Sequence, residues 1–130
     1  METVMHLDTH VLVWLFGRQR DRIPFTARQR IELEQLAISP IVELELAYLF
    51  EIGKVAAPPQ DVLGELVPAL ELVVSAVPFP SVVREALGLQ WTRDPFDRII
   101  VAQAIAEGAS LLTADTTVRK NFPLAVWDDE

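Results

Sequence analysis

Short apolar runs alternate with longer amphipathic stretches along this chain, and the alternation predicts strands and helices in turn. Val4–Leu7 reads as a buried strand, with a helix over Thr9–Phe16 behind it. Gly17–Arg22 is polar and reads as a loop; Thr26 caps a helix expected to run to Leu36. Leu36–Ser39 reads as a second strand, and Pro40 suits the first position of a helix that ends at Ile52 before Gly53. Pro58 and Pro59 mark a turn, and Asp61–Leu72 reads as a helix that Pro68 kinks or splits. Val73–Phe79 is the expected third strand, followed by a helix from Pro80 to Leu89. Asp94-Pro95 is a strong helix start, with Asp as N-cap and Pro in the first turn, and Gly108 ends that helix. Ala109–Thr113 and Leu124–Trp127 complete the set as fourth and fifth strands.

This order implies an α/β fold, a three-layer α/β/α sandwich around a central, mostly parallel sheet. The length of 130 residues suits one domain over 1–130. In such sheets ligands gather at the carboxyl ends of the strands. Asp8 and Asp115 follow strands at that edge, and the helices carrying Glu45 and Asp97 start there.

Those four acids stand in or beside core-forming segments, where an unpaired carboxylate is costly. Glu45 is the most telling. At helical spacing its neighbours in azimuth are Ile41, Tyr48, Leu49 and Ile52, while Glu43 and Glu51 fall on another side. Asp97 shares a face with Ile100, Val101 and Ala104, and Asp94 already provides the cap. Singly, Asp8 and Asp115 are explained as N-caps after strands. Together the four acids suit a site for a hard divalent cation, which prefers carboxylate oxygens.

Composition narrows the chemistry. With no cysteine, disulfides, thiolate metal sites and cysteine nucleophiles are excluded; two histidines make a histidine-rich zinc site a poor fit. No run approaches a membrane span, and Met1-Glu2-Thr3 leads into the first apolar run without a basic leader, so the expectation is a soluble cytoplasmic protein. The net charge of −8 argues against a broad basic surface for nucleic acid, although bound divalent cations offset it locally. Basic residues suited to RNA are few: Arg18, Arg20 and Arg22 form a loop cluster, and Arg93 and Arg98 flank the Asp94 segment. His6 and His10 read as packed or capping. Trp14, Trp91 and Trp127 read as core or interface residues.

The segments Leu7-Asp8-Thr9-His10, Ser39-Pro40-Ile41-Val42-Glu43-Leu44-Glu45-Leu46-Ala47, Asp94-Pro95-Phe96-Asp97-Arg98 and Thr113-Ala114-Asp115, in this order across nearly the whole chain, resemble PIN-domain proteins, and in particular VapC-type toxins of bacterial toxin–antitoxin pairs. The resemblance implies a ribonuclease dependent on Mg²⁺ or Mn²⁺. It assigns the catalytic pocket to Asp8, Glu45, Asp97 and Asp115, with Asp8, Asp97 and Asp115 on the metal. In support it implies that Thr113 orients Asp115 or a water on the cation, that Thr9 does likewise beside Asp8, and that Asp94 helps through water or serves as cap. Arg18, Arg20, Arg22, Arg93 and Arg98 are the candidate RNA contacts. The implied partners are an RNA substrate, a second copy of the chain, and a VapB-like antitoxin whose tail crosses the apolar surface near the pocket. One departure stands out: related sequences often carry a lysine shortly after the helix glutamate, where this chain has Tyr48-Leu49-Phe50.

Competing classes fit less well. A PIN-like module that binds RNA or protein without cutting is the alternative; it would be marked by a lost acid, and none is lost. A phosphatase of the haloacid dehalogenase kind needs a second Asp where His10 stands. A receiver domain wants a lysine after a late strand, and Lys120 is poorly placed for that. Neither a Ser-His-Asp pattern nor a Gly-rich phosphate loop is present.

Overall fold

The computed structural model describes residues 3–128, so the leading Met1 and Glu2 lie outside the described residues. Five strands, β1 (Val4–Leu7), β2 (Gln35–Ile38), β3 (Val73–Val74), β4 (Ser110–Leu112) and β5 (Ala125–Val126), form one sheet. Their order is β3-β2-β1-β4-β5, and every pairing is parallel. Parallel neighbours need a crossover, and the crossovers here are helical: α1 (Thr9–Phe16), α2 (Phe25–Leu33), α3 (Ile41–Glu51), α4 (Pro59–Leu70), α5 (Phe79–Leu87), α6 (Pro95–Glu107) and α7 (Thr116–Asn121). The fold is the expected three-layer α/β/α sandwich.

Alternation along each strand sends side chains to both layers. On β1, Met5 and Leu7 are fully buried in the main apolar core with Leu12, Leu36, Ile38, Leu46 and Leu112. His6, between them, points to the other layer. It is wholly buried, and its Nε2 stands 2.6 Å from Oε1 of Glu107 at the end of α6. Burial pushes its pKa below the ordinary histidine value, against the pull of Glu107.

Several boundaries differ from the sequence expectation. The second helix starts at Phe25, behind Pro24 rather than at Thr26, and stops at Leu33, because Gln35–Ile38 are taken into the sheet beside β1. Pro40 stands just ahead of α3; Ser39 does the capping, its hydroxyl accepting from the Ile41 N–H at 3.2 Å. Pro68 does not split α4. It lies in the last turn, which closes at Glu71 in the left-handed region, φ 50°. The third strand holds two residues only, both exposed at the sheet edge, and Phe79 already belongs to α5. Helix α7 and the 3₁₀ turn Arg20–Arg22 have no counterpart among the elements that the apolar pattern predicts.

Two strong local signals set α6. Asp94 Oδ1 accepts from the N–H groups of Phe96 (2.9 Å) and Asp97 (3.4 Å), and Pro95 occupies the first helical position. At the other end Gly108 takes φ 71°, which lets Ala109 N–H reach Ala104 O at 2.9 Å and turns the chain into β4.

Candidate metal centre

The chain leaves β1 towards β2 on one side and reaches β4 on the other. The sheet therefore has its topological switch between β1 and β4, where a crevice opens at the carboxyl ends. Asp8 and Asp115 flank that crevice, one residue beyond β1 and three beyond β4. Each caps the helix that follows: Asp8 Oδ1 accepts from Thr9 N–H at 2.7 Å and Asp115 Oδ1 from Val118 N–H at 2.9 Å. Cap and pocket roles thus coincide in the same carboxylates. Helix α3 brings Glu45 from one side and α6 brings Asp94 and Asp97 from another. The five acids line one cavity of ≈ 290 Å³ together with His10, Trp14 and Ala114.

Glu45 sits on the face of α3 that also buries Val42, Leu46 and Leu49. Tyr48 and Ile52, expected on its face, are about half exposed, at 47% and 48%, so the buried arc is turned by roughly one residue. Two threonines hold the acids in place. Thr9 Oγ1 donates to Glu45 Oε1 at 2.5 Å, and Thr113 Oγ1 donates to Asp8 Oδ2 at 2.6 Å. Both threonines are fully buried. Each threonine touches the acid expected of it and a second one besides: Thr9 meets Asp8 through its amide and Glu45 through its hydroxyl, and Thr113 accepts the Asp115 N–H at 3.1 Å while giving its proton to Asp8. The cause is topological. Thr113 continues β4, which lies beside β1, whereas Asp115 has turned away to cap α7.

The electrostatics are those of crowded acids. Burial raises the Asp97 carboxyl to a pKa of about 7, and Asp8, Asp94, Asp115 and Glu45 add to it; no hydrogen bond opposes the rise. Burial likewise raises Asp8 and Glu45, against the hydrogen bonds from Thr113 and Thr9 to Asp8 and from Thr9 to Glu45. His10, exposed at the rim, pulls both in the opposite direction.

An all-oxygen donor set of this charge matches Mg²⁺ or Mn²⁺ in chemistry. The acids ring the cavity without converging: among the described residues no three His, Asp or Glu side chains stand close enough to hold one ion together. The donor chemistry fits a divalent cation, and closing on it requires the carboxylates to move inward.

None of the five arginines named from the sequence lines this cavity. Arg98 is tied to α5, its Nε donating to Ala86 O at 2.8 Å and its second guanidinium nitrogen to Leu87 O at 3.5 Å. Arg18, in the left-handed region at φ 60°, lies 3.9 Å from Glu65. Arg20 and Arg93 are exposed, and Arg22 lies over Trp14 with 5.5 Å to the ring centroid. Trp14 packs against the main core and Trp127, as expected, and it also lines the pocket with His10. The place of His10 two residues after Asp8, at the strand-to-helix junction, is the signal that points it there.

Parallel strands in this order, with carboxylates at the switch point, define the PIN class of α/β fold. The PIN-domain family model matches residues 5–121. A Mycobacterium tuberculosis protein, Ribonuclease VapC22, is 36% identical over 135 residues, covering 98% of this chain and 100% of its own. The chain therefore belongs to the PIN-domain family, in its VapC-type branch. Solved structures agree on the fold. VapBC2 from Rickettsia felis, bound to a DNA fragment from its promoter, matches with a TM-score of 0.70 at 24% identity, over 97% of this chain and 100% of that one. A toxin–antitoxin complex from Klebsiella pneumoniae matches with a TM-score of 0.65 at 23% identity, over 94% of this chain and 95% of that one. No helix of the described residues is long and apolar enough to cross a membrane.

Proposed function

We propose that this chain, one PIN-like domain over 1–130, is a metal-dependent ribonuclease and the toxin of a toxin–antitoxin pair. The observation that carries the reading is the meeting of Asp8, Glu45, Asp97 and Asp115 in one cavity at the switch point of the sheet. The relative named as a ribonuclease supports the choice of RNA.

Asp8, Asp97 and Asp115 would hold the cation, with Glu45 completing the wall. When bound, Mg²⁺ or Mn²⁺ supplies charge that activates water and steadies the phosphate and leaving oxygen. The chain's own contribution is preorganisation. Thr113 and the Thr9 amide fix both oxygens of Asp8, and the Thr9 hydroxyl fixes Glu45, so these acids keep their orientation. Asp97 is the carboxyl that holds a proton near neutrality while the cavity has no cation, and releases it as charge is neutralised. The cytoplasm, an RNA substrate, a second copy of the chain and a VapB-like antitoxin complete the proposal.

The separation of the acids favours one other reading, a PIN-like module that binds RNA or protein without cutting. Cleavage of total RNA by purified, antitoxin-free protein separates the two. Attack by water in line predicts 5′-phosphate and 3′-hydroxyl ends and complete loss of cutting in EDTA. Cyclic phosphate ends or EDTA-resistant cutting would sink the metal mechanism, and a folded protein that cuts nothing supports the binding module.

A further inference from the structure

Beside the acidic cavity lies a second one of ≈ 450 Å³, and the two share His10 and Trp14 as a common wall. Their charges are opposite. The acidic cavity is lined by five carboxylates and no Lys or Arg; the second is lined by Arg22 and Lys54 and by no carboxylate. In a chain of net charge −8 this local reversal needs a reason. Among the described residues neither Arg22 nor Lys54 forms an ion pair, and Arg22 lies over the Trp14 ring of the shared wall. Both are exposed.

The backbone places Lys54 there. Gly53 takes φ 79° at the end of α3, and Lys54 N–H returns to Leu49 O at 2.8 Å. This left-handed turn folds the chain back over its own last turn and brings Lys54 to the rim of the cavity. Between the two cations the wall is apolar and aromatic, with Val13, Trp14, Leu49 and Ala57.

We propose that this cavity is the subsite for the nucleotide next to the scissile phosphate, Lys54 and Arg22 holding its phosphate and the wall of Val13, Trp14 and Leu49 holding its ribose and base. The inference rests on the ribonuclease reading and extends it. A single RNA strand presents phosphates in succession, each of one negative charge. One of them must enter the acidic cavity, where the protein repels it until a cation is bound. Its neighbour meets two fixed positive charges across the shared wall, so the strand is held before and after the cut. The cavity's size falls in the range of about 300–1,000 Å³ typical of small-molecule sites, and aromatic contact with a base is tolerant of sequence.

The test uses a fluorescently labelled single-stranded RNA of about six nucleotides and the full chain carrying Asp97→Asn, so that the probe survives in Mg²⁺. Adding Lys54→Ala or Arg22→Ala is expected to weaken binding roughly tenfold and to flatten the dependence of log Kd on log salt by roughly 0.7 per lost contact. In the otherwise wild-type chain each variant is expected to raise KM more than it lowers kcat. Unchanged melting temperature marks the effect as one of binding, and Lys54→Ala is the decisive variant, since Arg22 also packs over Trp14. If the wild-type chain cuts RNA but both variants bind the probe as tightly as their parent, the subsite is overturned and the ribonuclease reading stands. If both variants instead lose only the co-purified antitoxin, the cavity belongs to the antitoxin and the proposal fails. A wild-type chain that neither binds the probe nor cuts RNA overturns both.

Discussion

Thr113 at the end of β4 donates its hydroxyl proton to Asp8 at the end of β1, 2.6 Å away, and so bridges the two strands between which the sheet reverses. Both side chains are buried. Thr113→Val keeps the shape and removes the donor. Losing a hydrogen bond to a buried carboxylate costs about 1–3 kcal/mol. We expect a loss of that size in urea denaturation, together with a fall in cleavage rate as Asp8 loses its orientation. Unchanged stability and rate in this variant would show that Asp8 is held by the Thr9 amide alone.

The metal-free chain is expected to lose stability as pH rises from about 4 to about 7, an order-of-magnitude window for this carboxyl. Asp97 moves from an ordinary value of 3.8 to about 7 on folding. Its folded form binds the proton more tightly, so its stabilising contribution is complete below the unfolded pKa and is lost as pH passes the folded one. Mg²⁺ or Mn²⁺ should restore the loss by relieving the repulsion with Asp8, Asp115 and Glu45. Thermal melts at pH 5 and pH 8, with EDTA and with metal, measure both effects. Asp97→Asn should flatten the pH dependence and remove most of the metal-induced gain; an equal metal shift in that variant would move the site elsewhere.

The parts legible in the sequence are those fixed by local chemistry. Asp94-Pro95 and Gly108 bracket α6 because a cap, a proline and a left-handed glycine act within a single turn. Val4–Leu7 is a strand because three of its four residues are buried between two helical layers. What stayed hidden depends on neighbours distant in sequence. The roles of Thr9 and Thr113 follow from the adjacency of β1 and β4 and from the approach of α3, which no local pattern encodes. Helix α7 has six residues, opening with the weak helix formers Thr116 and Thr117, and only its cap, Asp115, carried a signal. The edge strand β3 is short because its partner β2 ends at Ile38, which already pairs with Val74. Lys54 was invisible as a pocket residue because it lies beyond the helix end and is returned by Gly53.

A dimer is expected through α3 and α5. Phe79, Val83 and Leu87 follow one another at four-residue spacing on α5, and all three are exposed, as are Leu44 and Tyr48 on α3. A groove of ≈ 270 Å³ between the two stripes is lined by Leu44, Val77, Phe79 and Ile99. The apolar residues of α3 thus reach the surface at Leu44, Tyr48 and Phe50, whereas Val11 and Leu12 of α1 are buried in the core. Sedimentation should give twice the mass of 14.6 kDa. Leu44→Glu or Val83→Glu should return it to the monomer without loss of fold. A wild-type monomer at high concentration would refute this interface.

The antitoxin is expected to place a basic side chain towards Asp8, Asp97 and Asp115. Those acids, with Glu45 and Asp94, make the cavity the natural seat for a guanidinium or ammonium group when no divalent cation is bound. Such a contact would oppose the burial and the carboxylate repulsion that together raise the Asp97 pKa to about 7, and would exclude both metal and RNA. Inhibition then follows from competition for the same negative charge, and high Mg²⁺ should weaken the complex. We expect the partner to be encoded immediately upstream and to carry a DNA-binding fold of its own. Expression alone should arrest growth, Asp8→Ala should abolish the arrest, and co-expression of the small neighbouring protein should restore growth. A wild-type chain that is folded and abundant yet harmless by itself would remove the toxin reading and leave the non-cutting module in its place.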